Sequence, residues 1–194
     1  MLQGLSILGS PRNNGNNAQI LTKLKRNLSK EVKFDSIKIS DLDIKPCLAC
    51  GYCEENKGCR IDDEMQKIYP KFSEEDLILV ASPLYFNTVS AQLKNLIDRC
   101  QAFWANKLVL DKPLINPDKK RLGYFISTAG QKNNTTRFKY VKGTIAIFFK
   151  ALDIDYQDNF FIGNIDQNPI KKRSDISAEI KKFTAQIKKD LKQF

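Results

Sequence analysis

The chain of 194 residues contains no histidine. That absence removes the side chain that most often carries acid–base chemistry near neutral pH and most often ligates transition metals. Any metal centre here must be built from other donors. No apolar run approaches the roughly 18 residues that cross a bilayer, and Met1 to Leu5 lack the basic stretch and cleavage site of a secretion signal. Residence in the cytoplasm is therefore the expectation, and there thiols stay reduced or bind metal. Neither G-x-G-x-x-G nor G-x-x-x-x-G-K-[ST] occurs, so the dinucleotide and P-loop fingerprints are missing too. Internal repeats and low-complexity linkers are also lacking.

Acidic residues are the scarcer sign: 22 face 32 basic ones, for a formal net charge of +10. Half of that excess lies in residues 171–194, which hold eight Lys or Arg and three Asp or Glu. These sit mostly off the stripe Ile176, Ile180, Phe183, Ile187 and Leu191, whose spacing marks the buried face of a terminal helix. A solvated helix face explains the charge more simply than a nucleic-acid surface does. A basic exterior suits anionic substrates or acidic redox proteins. With 42% hydrophobic and 28% charged residues, the length fits a single domain over 1–194 whose core needs no disulfide staples.

Cysteine is concentrated rather than abundant. Four of the five fall within thirteen residues, Pro46-Cys47-Leu48-Ala49-Cys50-Gly51-Tyr52-Cys53-(x5)-Cys59, a C-x2-C-x2-C-x5-C spacing in a loop over 46–60. So dense a set cannot pair freely into unstrained disulfides, but it can wrap one metal centre. Thiolates without histidine favour an iron–sulfur cluster or zinc. Redox-active thiols and an inert cysteine-rich loop are the competing readings. The bacterial ferredoxin run closes with a proline after its fourth cysteine; here Arg60 follows Cys59.

Taken in order, Leu5 to Leu8 read as a buried parallel strand. They run into the small, polar loop Gly9-Ser10-Pro11-Arg12-Asn13-Asn14-Gly15-Asn16-Asn17, and Leu21, Leu24 and Leu28 then share one helix face. Strand, polar loop and helix N-terminus build an anion site, because unpaired N–H groups and the helix dipole point at the loop. Ser10, Asn16 and Asn17 add side-chain donors and Arg12 a charge. A plain turn with a helix cap is the competing reading.

A second strand spans Val32 to Ile39, and Asp62-Asp63-Glu64 cap a helix reaching about Phe72. Asp76 to Ala81 form the clearest strand, delivering Ser82-Pro83-Leu84-Tyr85-Phe86-Asn87 to its C-terminal end. Val89, Leu93, Leu96, Ile97 and Cys100 make the next helical stripe, which places Cys100 in the core. Residues 101–121, with prolines at 113 and 117, read as an irregular insertion. Leu122 to Ser127 is a fourth strand ending in Thr128-Ala129-Gly130, a helix covers Phe138 to Leu152, and Ile154 to Ile162 is a fifth strand.

This alternation predicts an α/β fold: a doubly wound, five-stranded parallel sheet of order 2-1-3-4-5 in three layers, α/β/α. Ligands of such sheets bind beyond the carboxyl ends of strands one and three, where the strand order reverses. Three loops meet there. The first suits a phosphate, the second offers an aromatic pair, and the third has small residues that let backbone approach a planar ring. FMN combines one phosphate with one large ring.

With these residues in view, the chain resembles the flavodoxin-like NAD(P)H-dependent FMN reductases and, within them, the iron–sulfur flavoproteins. The resemblance rests on Gly9-Ser10-Pro11-Arg12-x-x-Gly15-Asn16, on Ser82 to Asn87 continuing into Gln92-Leu93-Lys94-Asn95-Leu96-Ile97-Asp98-Arg99, and on the cysteine loop with Asp62-Asp63-Glu64-Met65. It covers most of the chain to about residue 130. It implies FMN with its phosphate on Ser10, Arg12, Asn16 and Asn17, with Gly15 also in the cofactor site, and its ring against Pro83, Leu84, Tyr85, Phe86 and Asn87 and against Thr128, Ala129 and Gly130. It also implies a [4Fe-4S] cluster on Cys47, Cys50, Cys53 and Cys59, and a homodimer or homotetramer whose interface borders the flavin. Asn17 stands where many relatives have threonine, and Ala49 where many have glycine.

The expected activity is electron transfer from NADH or NADPH through FMN to a small-molecule or redox-protein acceptor. The flavin N5, not a side chain, carries the chemistry. A flavodoxin-like electron carrier with no substrate of its own, and a cysteine-based redox or metal sensor, are the alternatives.

Overall fold

Two uninterrupted apolar runs occupy the middle of the sheet. In the computed structural model, which describes residues 1–132 and 135–193, β3 (Leu77–Pro83) and β4 (Leu122–Thr128) are buried at every position. β1 (Leu2–Leu8) lies beside β3, and β2 (Val32–Lys38) and β5 (Asp155–Ile162) form the edges, so the order is β2-β1-β3-β4-β5 with all pairs parallel. This is the predicted doubly wound topology. The edge strands mix exposed, half-buried and buried residues because one flank of each meets water.

Alternation along the central strands sorts the helices into two layers. Ile78, Val80 and Phe125 face α3 (Met65–Glu74), α4 (Ala91–Arg99), α5 (Gln101–Leu108) and α6 (Thr135–Ala151). Leu77, Leu79, Tyr124 and Ile126 face α1 (Asn16–Leu28) and α7 (Ile176–Lys192). Cys100 is buried in the first of these cores, as expected. A single turn of helix, α2 (Tyr52–Glu55), lies inside the cysteine loop.

The expected irregular insertion needs correction. Residues 101–108 form α5, which continues from α4 across a bend at Cys100, whose N–H is shared between the Leu96 and Ile97 carbonyls. Only residues 109–121 lack regular helix or strand. Ala102, Phe103, Ala105 and Asn106 are buried, so tertiary packing holds this short helix against the sheet and the cysteine loop. Residues 109–121 are pinned by Arg121, fully buried, whose guanidinium donates to the carbonyls of Phe72, Ser73, Asn116 and Lys119.

Candidate functional site

Parallel pairing sends every strand's outgoing loop to the same edge of the sheet. Ser82 pairs with Ser127 and Pro83 with Thr128, and the Gly9 N–H donates to the Ala81 carbonyl at 2.7 Å, which brings the three expected loops side by side. They enclose a cavity of about 450 Å³, within the roughly 300–1,000 Å³ usual for cofactor sites. Ser10, Arg12, Gly15, Asn16, Asn17, Pro83, Leu84, Tyr85, Phe86, Asn87, Thr128, Ala129 and Gly130 all line it.

One end of the cavity is built to take an anion. Helix α1 starts after Gly15, which has no side chain to cap it, and no acidic residue lies in the first turn. Among the described residues its leading N–H groups and dipole are therefore unanswered by side chains. Arg12 is exposed beside them, on a turn closed by the Gly15 N–H donating to its carbonyl at 3.2 Å. Asn17 is buried, donates to Thr128 Oγ1 at 3.0 Å, and keeps Oδ1 without a partner among the described residues. A ligand hydroxyl would satisfy that acceptor; a phosphate would cap the helix. Asn16 Oδ1, by contrast, is taken by the Ile170 N–H.

Opposite lies an aromatic lip. Tyr85 and Thr88 exchange backbone hydrogen bonds at 3.0 and 2.9 Å, and the two residues between them, Phe86 and Asn87, have φ of 47° and 62°. Such a turn favours Asn-Gly, so holding Phe86 there costs about 1–2 kcal/mol. The ring is fully exposed and returns nothing to the core.

Four further lining residues, Gln131, Arg137, Ile165 and Asp166, escaped sequence reading. Ile165 and Asp166 follow β5 and are stitched to the β4 loop by N–H donation to the Ala129 and Gly130 carbonyls at 3.2 and 3.4 Å. Only the adjacency of β4 and β5 signals them.

The cysteines surround a second cavity, of about 320 Å³, lined by Cys47, Cys50, Cys53 and Cys59 together with Tyr52, Arg99 and Gln101. Cys47 and Cys50 are exposed and the other two half-buried. Among the described residues no three Cys, Asp or Glu side chains converge on one metal-ion position. The donor set is nonetheless soft, with four cysteines lining one space. Positive φ at Ala49, Gly51 and Gly58 coils the loop around it.

Buried and half-buried polar side chains hold that loop and its flanks by the backbone. Asn106, fully buried, donates to the carbonyls of Cys53 and Asn56 and accepts the Gly58 N–H. Gln66 donates to the carbonyls of Cys59 and Ile61, and Asn95 to that of Ile44. Arg99 pairs with Asp63 and donates to the carbonyls of Lys45 and Ile61. Burial opposes ionisation of Asp63, but the Arg99 hydrogen bond and two backbone N–H donors outweigh it and hold the carboxyl below the usual range. Burial likewise works against the Arg99 charge, and Asp63 reverses that balance. Burial pushes the Cys53 thiol up.

A doubly wound parallel sheet with an anion-ready cavity at its switch point defines a flavodoxin-like mononucleotide-binding protein. The chain belongs to the NADPH-dependent FMN reductase family, whose model matches residues 4–159, and within it to the iron–sulfur flavoproteins. An iron–sulfur flavoprotein of Methanosarcina thermophila is 31% identical over 173 residues, 84% of this chain and 81% of that protein. A second, from Methanocaldococcus jannaschii, is 38% identical over 96 residues, 49% of this chain and 50% of its own length. Among solved structures, an FMN-dependent NADH-azoreductase from Bacillus anthracis in complex with FMN superposes with a TM-score of 0.69 at 13% identity, covering 95% of this chain and 99% of that one. An NADH:FMN oxidoreductase in its apo form gives 0.63 at 14%, covering 96% and 88%. These likenesses are of fold. Among the described residues no helix is long and apolar enough to cross a membrane.

Proposed function

We propose that this flavin oxidoreductase takes electrons from NADH or NADPH into FMN and passes them to an acceptor through a [4Fe-4S] cluster on Cys47, Cys50, Cys53 and Cys59. The observation that carries the flavin half is the single cavity joining an uncapped helix N-terminus to an aromatic lip. The cluster half rests on four thiols around one space and on the iron–sulfur flavoproteins among the relatives.

FMN, when bound, supplies hydride acceptance at N5 and transfer of one or two electrons. The chain's own residues bind and orient it. The α1 amides and Arg12 neutralise the phosphate, Asn17 Oδ1 accepts from a hydroxyl, and Pro83 to Asn87 and Thr128 to Gly130 flank the ring. Without histidine, protons come from water or from Tyr85 at the mouth. Basic charge, with Arg12 and Arg137 at the cavity, favours approach of an anionic nicotinamide donor. The exposed Tyr85 and Phe86 suit a homodimer or homotetramer that covers the mouth, and free thiols suit a reducing, cytoplasmic setting.

The decisive experiment is anaerobic purification with flavin, iron and sulfide assays, followed by stopped-flow mixing with each nicotinamide. Bleaching of the flavin by NADH or NADPH, with iron and sulfide near four per chain, is expected. Failure of both donors to bleach it removes the reductase, and flavin without iron removes the cluster.

A further inference from the structure

Arg99 does more in this structure than close an ion pair. It is the last residue of α4, its side chain is 0% exposed, and it lines the cysteine cavity. One nitrogen, Nη1, donates to the Lys45 carbonyl at 2.8 Å, two residues before Cys47. The other, Nη2, reaches the Ile61 carbonyl at 3.5 Å, two residues after Cys59, and Cys59 Sγ itself at 3.7 Å. Asp63, with a side chain only 1% exposed, grips both nitrogens and leaves the planar fork one orientation. Tyr69 OH fixes the backbone beneath by donating to the Arg99 carbonyl at 3.0 Å. Nε is buried without a partner among the described residues, so this guanidinium is not placed merely to saturate its own donors.

We propose that Arg99 is the residue that positions the four-cysteine centre and sets its reduction potential, through one N–H aimed at Cys59 and one fixed positive charge at the cavity wall, with Asp63 as the counterweight. This rests on the cluster reading above. Adding one electron from the reduced flavin to a thiolate-bound centre adds one negative charge, and neither a proton nor a bond to carbon is needed. A buried cation and an N–H to sulfur stabilise the more negative state and raise the potential, since hydrogen bonds to sulfur and local charge are levers the protein holds over such centres. The same guanidinium bridges both stems of the loop, so charge and geometry are set by one side chain.

The two partners make the assignment testable, because their charges push in opposite directions. Anaerobic wild type, R99Q and D63N are titrated spectroelectrochemically, with flavin and cluster midpoints resolved separately and iron, sulfide and FMN counted in each. The cluster midpoint moves negative in R99Q and positive in D63N, while the flavin midpoint stays put; R99K, which keeps the charge without the fork, lies between wild type and R99Q. A purely structural clamp would loosen in both variants and move both midpoints the same way. That result, or an unmoved midpoint in a fully loaded R99Q, overturns the proposal. If a lone buried charge prevents folding, the doubly neutral R99Q/D63N chain decides: its midpoint falls below wild type because the lost cation is the partner that touches Cys59, and an unchanged midpoint overturns the proposal. Hydrogen exchange on cluster-free protein gives a second readout, with faster exchange at residues 58–61 in R99Q and R99Q/D63N than in wild type. Wild type without iron and sulfide removes the cluster reading itself, which loaded wild type with unshifted variants does not.

Discussion

Replacing Asn106 by alanine removes three hydrogen bonds at once, all to the backbone of the cysteine loop: 2.8 Å to the Cys53 carbonyl, 3.2 Å to that of Asn56, and 3.0 Å from the Gly58 N–H. Each contributes about 1 kcal/mol net, so the sum is about 3 kcal/mol if all three groups stay dry. They need not stay dry. Asn56 is exposed and Gly58 half-buried, so the loop can lift and let water replace part of what is lost, and the global cost then falls towards about 1 kcal/mol. For a chain of this size that range lowers the melting temperature by roughly 2–12 °C. The local signature is sharper: exchange of the Gly58 amide accelerates on the order of 100-fold, because the opening that exposes it no longer breaks these bonds. FMN affinity stays unchanged, since Asn106 lines neither end of the flavin cavity. The assay is hydrogen exchange with mass spectrometry on flavin-loaded protein, beside thermal unfolding. A Gly58 amide as protected in N106A as in wild type would refute the idea that one side chain anchors this loop.

Three further outcomes test other parts of the site. R12A is expected to weaken FMN roughly 10- to 100-fold, the value of one charge-assisted contact, and to leave riboflavin binding alone because riboflavin has no phosphate; equal losses for both flavins in equilibrium titrations would count against Arg12 as a phosphate ligand. F86N replaces a ring that is fully exposed at φ 47° with a residue that tolerates that conformation, so the unfolding free energy from urea titration holds or improves by up to about 1 kcal/mol while FMN affinity drops a few-fold; a large loss of stability would show that the ring packs against the fold. Asp63 has a carboxyl held below its usual value, so its contribution is fully present above the unfolded value near 3.9 and fades as pH falls through the lower folded value. The stability gap between wild type and D63N, about 3–5 kcal/mol near neutral pH for a buried pair broken on one side, should therefore narrow below about pH 4 in urea titrations, and a constant gap would contradict the pairing.

What the sequence made legible follows from burial. β3 and β4 are covered on both faces, so their runs are apolar throughout and stand out, and a chain that alternates such runs with helical stripes has few topologies open to it. The small polar loop after β1 is likewise local in sequence, as is the four-cysteine spacing. Helix α5 was not legible. Gln101-Ala102-Phe103-Trp104-Ala105-Asn106-Lys107-Leu108 has no clean polar face, and the prolines beyond it read as loop. Its one informative residue, Asn106, is a polar group sunk in an apolar stretch, which is the mark of a side chain whose partners lie far away in sequence. Ile165 and Asp166 escaped for a related reason: nothing in their own neighbourhood points to the cavity, and only strand adjacency brings them there.

The helix between the two cavities explains why their chemistry can be separate yet mechanically joined. Ser90 caps α4, accepting the Leu93 N–H at 3.3 Å while its hydroxyl donates to the carbonyl of Gly9, the residue that opens the small polar loop after β1. That approach is close enough that a Cβ on Gly9 would stand 2.8 Å from Leu93 Cβ, so glycine there is what lets α4 seat against β1. At the other end, roughly 13 Å away at 1.5 Å per residue, Arg99 enters the cysteine cavity. One helix therefore contacts the polar loop after β1 at its N-terminus and the stems of the cysteine loop at its C-terminus. The expected outcome is that G9A, which drives a Cβ into Leu93, slows or speeds hydrogen exchange at residues 58–61 as well as in the β1 loop, whereas D63N changes exchange only around the cysteines; exchange confined to the β1 loop in G9A would refute the joint.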